Sequence, residues 1–395
     1  MSGILGTVFF FSRCLQTPQV VDPRGTDYAG SAKCAGCHQS ISETYAHTAH
    51  SLSTRIVDEN TIAGSFSKDS NQLKINDSTL IRMEKRDSGL YQVLYVNNKA
   101  IVAHRFDLQL GAVKGQTFLF WQKNGFFQLP VSYIRDLHQW TGSPGYSSDQ
   151  LNFNRPVVTT CFACHSSFAS GDPHGISVAS AKQINWVFNI DCERCHGPAA
   201  AHVEFQESHP QEKQSRYMVS FQSLDRKQKI DLCAVCHSGT KNLLLKPTFR
   251  FKMGDTLSNY MNVLYTDFPS PDEHGSQKQF FAQSKCFRMS GMDCTTCHNA
   301  HVNERGIVKS FNEHCQTCHT PGQYFCKLVT DSNIVFLQNN CTGCHMPAQS
   351  AKVIRVQSKN NILSLPTMAV NHRIAIYPDE TEKVLKIKSH DQKIP

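Results

Sequence analysis

Residues 192–205 read CERCHGPAAAHVEF. Two cysteines stand three apart, a histidine follows the second directly, and another comes six residues later. Three chemistries use such a pair: a zinc site, a redox dithiol, and thioether attachment of haem. One copy leaves the choice open, but this chain carries seven. They are Cys34-Ala-Gly-Cys37-His38, Cys161-Phe-Ala-Cys164-His165, Cys192-Glu-Arg-Cys195-His196, Cys233-Ala-Val-Cys236-His237, Cys294-Thr-Thr-Cys297-His298, Cys315-Gln-Thr-Cys318-His319 and Cys341-Thr-Gly-Cys344-His345. They use 14 of the 17 cysteines, leaving Cys14, Cys286 and Cys326. With 19 histidines in 395 residues, chance does not put one after every CxxC.

The spacing has a physical reason. Two thiols must reach the two vinyl groups of one porphyrin, and the adjacent imidazole must lie under the iron. A two-residue spacer and an immediate His meet both demands in one turn of chain. Structural zinc instead needs a second CxxC or an HxxxH to complete four ligands, with no requirement for His after each pair. A thioredoxin-like dithiol is a single motif on a βαβ unit. The sequence therefore predicts seven covalently attached haem c groups, each iron held by the motif histidine.

A chain of this length ordinarily divides into two or three domains. Seven haems leave about 56 residues for each, too few for seven separately walled pockets. The haems are expected to share one array. The formal charge of +8 is recast by them, because a bis-histidine haem with ionised propionates carries about −1 when ferric and about −2 when ferrous. The excess Lys and Arg read as propionate partners rather than a phosphate-binding surface. No Lys/Arg-rich run with interleaved aromatics occurs, so nucleic acid is set aside.

No stretch reaches the length of a transmembrane helix. Thioether attachment takes place outside the cytoplasm, so export to the periplasm or outer surface is expected. The apolar run Ile4–Phe11 reads as a clipped signal peptide within an export leader or lipoprotein signal at 1–26. Cys14 is either the acylated cysteine of a lipid anchor or part of a discarded leader. Arg13, where a small residue is usual, argues for the second.

The first motif stands alone in a segment spanning 27–63. The gap that follows reads differently. Gln72–Asn76, Thr79–Arg86 and Leu90–Val96 alternate apolar and polar residues among β-formers. Asn97-Asn98 turns the last of these onto Ala100–Phe106, and Lys123-Asn124-Gly125 joins Thr117–Gln122 to Phe126–Tyr133. An antiparallel β module is predicted over 64–135, within a β-rich insertion and spacer at 64–155. Six motifs then crowd into 156–349, where short helices such as Ala181–Phe188 and Leu224–Ile230 are expected among loops. Residues 350–395 supply a distal histidine and a charged, solvated tail. The predicted fold is a multihaem cytochrome c: mainly α-helix and loop around a packed haem array, with a small inserted antiparallel β module.

Removing the motif histidines leaves His47, His50, His104, His138, His174, His202, His209, His274, His301, His314, His372 and His390. Seven bis-histidine haems need seven of them. His202 and His301 lie too close to their own motif histidines to cross to the far face of the same haem. They are expected to reach a neighbouring one. His104 and His138 read as core or surface residues. Cys286 and Cys326 stand in a disulfide-permissive compartment.

Several stretches resemble a known family. GSAKCAGCHQSISETYAHTAHS, GQTFLFWQKNGFFQLPVSYIRDLHQWTGSPGY, FNRPVVTTCFACHSS, CERCHGPAAAH, MDCTTCHNAH, HCQTCHTP, CTGCHMP and NHRI match in order. Over about residues 28–376 the chain resembles multihaem cytochromes c with doubled CxxCH motifs, related to the tetrahaem electron carrier of nitrifying bacteria. The resemblance implies distal ligands at His50, His202, His274, His301 and His372. His174 and His314 are weaker candidates, and His47 competes with His50.

Two functions follow. Bis-histidine irons have no open position, so a protein full of them carries electrons. Its partners would be redox proteins, including a membrane respiratory complex onto which the β module docks. The alternative is a multihaem oxidoreductase with one open haem acting on nitrite, hydroxylamine or tetrathionate, with Arg194, His209 or Tyr217 lining the site. The absence of a CxxCK motif among the seven favours the carrier.

Overall fold

Alternation gives strands because every second side chain reaches the same sheet face. A computed structural model of the chain describes residues 22–122, 125–144, 146, 152–169, 186–239, 242–263, 275–320, 326–357 and 364–391. The Ile4–Phe11 run, Cys14, His174, His274 and Lys123-Asn124 lie outside them.

Ten strands occupy residues 54–142: β1 (Thr54–Ile56), β2 (Gln72–Lys74), β3 (Thr79–Arg86), β4 (Gly89–Val96), β5 (Lys99–Arg105), β6 (Leu108–Leu110), β7 (Gly115–Gln122), β8 (Gly125–Gln128), β9 (Val131–Ile134) and β10 (Gln139–Gly142). Strands β2 to β5 form a four-stranded antiparallel meander. A six-stranded sheet runs β1-β6-β7-β9-β10, with β8 added on β7. The β4–β5 turn is the predicted one. Asn97 and Asn98 take φ of 48° and 61°, the left-handed pair that a type I′ turn requires and Asn tolerates. Buried Gln92 of the meander gives and takes a hydrogen bond at Val131 of the larger sheet, at 2.6 and 3.1 Å, and so ties the two together.

The core of this unit is aromatic. Phe106, Phe118, Phe120 and Trp140 pack with Leu73, Ile81 and Met83, and Phe106 meets Phe118 edge-on at 4.6 Å. Trp140 is 2% exposed and donates its indole N–H to the Ser65 carbonyl at 2.9 Å. A Cβ at Gly64 would sit 2.2 Å from the Trp140 ring, so that approach requires glycine. Trp140→Ala is expected to cost about 3–5 kcal/mol, read as a lower denaturant midpoint in the far-ultraviolet β signal.

Sheet is more abundant than a small inserted module. Further hairpins join β11 (Ser166–Ala169) to β12 (Trp186–Phe188), β13 (Leu243–Leu244) to β14 (Met261–Asn262), and β15 (Ala348–Gln357) to β16 (Ser364–Val370). Residues 186–188, expected at the end of a helix, are strand; Trp186 and Phe188 stack there at 5.8 Å, and Trp186 packs on Phe162 at 4.3 Å. That contact seats the β unit on the second motif, because Phe162 lies between Cys161 and Cys164 and also meets Phe126 of β8 at 6.1 Å.

The motifs ride on short helical pieces: Ser31–Cys37, Thr159–Ala163, Cys192–His196, Arg226–His237, the 3₁₀ turn Cys294–Thr296, Val308–Gln316 and Cys341–His345. The helix expected at 224–230 begins at Arg226, where Asp225 and Gln228 form a capping box, and runs on to His237. The charged C-terminal tail is helical over Pro378–Asp391. Pro378 starts it, Asp379 and Glu380 complement its dipole, and Val384 lies over Gly343 of the seventh motif.

Candidate functional site

A single turn brings each histidine beside its cysteines. The His38, His298 and His319 amides donate to the carbonyls of Cys34, Cys294 and Cys315, four residues back, at 2.8, 3.1 and 3.0 Å. Residues four apart share a helix face, so the first sulfur and the imidazole face the same way. Cys286 and Cys326, which stand in a disulfide-permissive compartment, are not joined to each other.

The motifs approach one another through their cysteines. Close approaches of cysteine side chains link Cys34 to Cys192, Cys164 to Cys236, Cys233 to Cys294 and Cys315 to Cys341. Each link joins two different motifs. Among the described residues no three His, Cys, Asp or Glu side chains converge as a closed Cys₄ zinc centre would require.

Three imidazole pairs stand out. His196 faces His301 with ring centroids 5.8 Å apart, His237 faces His50 at 6.1 Å, and His298 faces His372 at 6.2 Å. A metal–imidazole bond is about 2 Å, so two rings on opposite sides of one iron have centroids about 6.3 Å apart. The rings are free to turn about the shared axis, and the interplanar angles of 17°, 80° and 31° are all compatible with it. The donor set and its spacing therefore fit a six-coordinate haem at each pair.

Hydrogen bonds to Nδ1 leave Nε2 available. His298 Nδ1 meets Glu304 Oε2 at 3.1 Å, while Glu304 Oε1 accepts the Asn299 amide at 2.7 Å. His345 Nδ1 meets the Ala375 carbonyl at 2.8 Å, His372 Nδ1 the Val370 carbonyl at 3.2 Å, and His202 Nδ1 the Arg216 carbonyl at 3.0 Å. Such partners fix ring orientation and tautomer at metal sites. Burial, helped by the neighbouring imidazoles, pushes His50 and His372 down to about 4, so both rings are neutral at pH 7, the form that ligates.

The remaining predicted residues are placed as follows. His202 sits on the helix Ala200–Ser208, which is tied to the first motif segment by Lys33–Glu207 at 2.9 Å and by the Ala200 amide on the Asp27 carbonyl at 3.0 Å. His165 is fixed through its carbonyl, which accepts the Ser53 and Thr54 hydroxyls at 2.9 and 2.6 Å. His314 lies within the helix carrying Cys315, and His47 is exposed. His104 packs on Phe120 and Phe153 at 3.9 and 4.8 Å, as a wall of the β core. His209 stacks on Phe205 at 4.3 Å.

Sequence reasoning missed two groups of residues. Glu304, six residues beyond His298, carries no motif signal. Nor does Arg24, which bonds Asp22, Asp191 and Glu193 at 2.9, 2.7 and 3.1 Å and staples the start of the described chain to the third motif.

Comparison with known proteins follows the same lines. Residues 145–197, containing the second and third motifs, match the model of the family described as cytochrome c554 and c-prime. No curated protein sequence matches significantly. Among solved structures, the crystal structure of Outer Cell Wall Cytochrome OcwA is similar in fold, with a TM-score of 0.54 at 15% identity, covering 90% of this chain and 81% of that one. Among the described residues no helix is long and apolar enough to cross a membrane. Over residues 145–197 the chain is thus similar to the cytochrome c554 and c-prime family, and over most of its length it shares the fold of an outer cell wall cytochrome.

Proposed function

We propose that the chain transfers electrons along seven covalently bound haems c, most or all of them six-coordinate with two histidines. The observation that carries this reading is the set of three imidazole pairs at 5.8–6.2 Å. Haem c supplies reversible one-electron exchange at its iron. The protein holds the groups and shields them from water. His196 and His301 would serve the third motif, His237 and His50 the fourth, and His298 and His372 the fifth. His202, held close to the first motif, is assigned to that one. His274 remains the candidate for another. The closeness of cysteines from different motifs favours close haem spacing.

Thioether attachment and the outer-cell-wall setting named for the similar structure both favour an exported protein at the periplasm or cell surface. Its partners would be redox proteins, among them a membrane respiratory complex, with a lipid anchor at Cys14 as one mode of attachment.

Haem count and spin state test this together. A pyridine haemochrome assay with intact mass is expected to give seven haems, and electron paramagnetic resonance of the oxidised protein to give only low-spin signals. A high-spin signal would return the oxidoreductase reading, with nitrite, hydroxylamine and tetrathionate as the substrates to try. Fewer than seven haems would mean that one CxxCH serves another purpose.

The Glu304 contact makes a further prediction. Glu304→Ala removes the carboxylate that orients His298 and strengthens it as a donor. Losing such a partner weakens metal–ligand binding about 10–100-fold. Cyanide is expected to capture one haem per molecule at correspondingly lower concentration than in the wild type.

A further inference from the structure

Three motifs meet at one backbone oxygen. The Ala163 carbonyl, inside the second motif, lies 3.4 Å from Nη2 of Arg194 in the third and 3.7 Å from Sγ of Cys236 in the fourth. Arg194 is 7% exposed. Its Nε is buried with no hydrogen-bond partner among the described residues, and its guanidinium lies 5.8 Å over the Phe249 ring.

The neighbouring carboxylates are already engaged. Asp191 accepts Arg24 at 2.7 Å and the Arg194 backbone amide at 2.8 Å. Glu193 accepts the amides of Ala29, Gly30 and Ala199, each at 2.9 Å, and Arg24 at 3.1 Å. Asp22 is held by Arg24 at 2.9 Å. Tyr28 and Lys252 line the same cleft. Three carboxylates thus share one arginine, and the Arg194 side chain bonds none of them. The Arg194 charge is therefore not neutralised by these three carboxylates.

We propose that Arg194 is a fixed buried charge that raises the reduction potential of the haems attached at the second, third and fourth motifs. This rests on the reading of those motifs as haem sites. Reduction adds one electron at an iron and no proton at Arg194, whose guanidinium stays charged in proteins. A nearby cation in a poorly screened interior stabilises the added negative charge. Arg194 would thereby make the meeting point of three motifs a place where electrons collect before moving on.

The test uses the complete, haem-loaded protein. Arg194→Gln keeps a polar side chain and removes the charge. In a spectroelectrochemical titration at least one component is expected to move to lower potential. Its reduced-to-oxidised ratio at fixed potential should fall roughly tenfold, about 59 mV for one electron. Arg194→Lys is expected to stay close to wild type. Phe249→Glu, which sets a carboxylate against the guanidinium without removing it, is expected to shift the same way as Arg194→Gln. Unchanged potentials in Gln and Glu variants that retain the wild-type haem count would overturn the proposal and leave electron transfer standing. So would failure of both variants to acquire their haems while the Lys variant acquires them, because Arg194 would then be structural. A wild-type protein lacking haem at these motifs would instead remove the underlying reading.

Discussion

Replacing Cys192 and Cys195 together with serine is expected to lower the mass of the mature protein by one haem and to cut the yield of folded protein sharply. The first effect follows from the chemistry, because thioethers cannot form without those sulfurs. The second follows from where the third motif sits. Cys192 lies close to Cys34 of the first motif, and the motif's Arg194 reaches the second at Ala163. Its Glu193 caps three backbone amides from two parts of the chain. A haem lost here leaves a void bounded by several motifs at once. That should cost more than the about 3–5 kcal/mol of a large-to-small core substitution, because neighbouring haems lose a wall as well. Cys286→Ser and Cys326→Ser serve as controls and are expected to keep every haem. Intact mass and thermal denaturation separate the two effects. A Cys192→Ser/Cys195→Ser protein with an unchanged haem count would show that attachment does not use this motif.

What could be read ahead of the structure was local. The Asn97-Asn98 turn is legible because few residues tolerate two successive left-handed conformations. The long strands β3 and β4 are legible because eight residues each give alternation room to appear. The motif turns are legible because one covalent reaction dictates their spacing. Sheet content is less so. Strands such as β1, β6 and β12 have three residues each, too short for a period to emerge, and they exist because neighbouring chain offers hydrogen bonds. The hairpin of β15 and β16 does carry β-branched residues in AKVIRVQ, yet its partner strand contains Pro366, which argues against a strand in isolation. The Pro378–Asp391 helix reads as a solvated tail because its sequence is so charged, but spacings of three and four residues turn those charges into pairs, Glu380 with Lys383 and Glu382 with Lys386. Axial partners are the least legible, since a distal histidine is chosen by tertiary placement. His298 and His301 are three residues apart in sequence, yet one faces His372 and the other His196.

That divergence gives the second large effect. His301→Ala is expected to open one iron, the one served by His196. One low-spin signal per molecule should be replaced by a high-spin signal, and the reduced protein should bind one more equivalent of carbon monoxide than wild type. Tyr45 is not free to take the vacant position. Tyr45 comes within 6.3 Å of the His301 ring, but its hydroxyl is engaged with the Ile190 carbonyl at 2.6 Å, and burial pushes it well above the usual phenol range, so it does not ionise to a ligand at neutral pH. Added imidazole should enter the gap and restore the low-spin spectrum, which a misfolded variant would not do. His104→Ala is the matched control, because His104 packs against Phe120 and Phe153 in the β core and its loss should leave every spin state as it was. A His301→Ala protein with only low-spin haems and no added carbon monoxide binding would break the His196–His301 pair, and with it the strongest geometric support for two-histidine ligation in this chain.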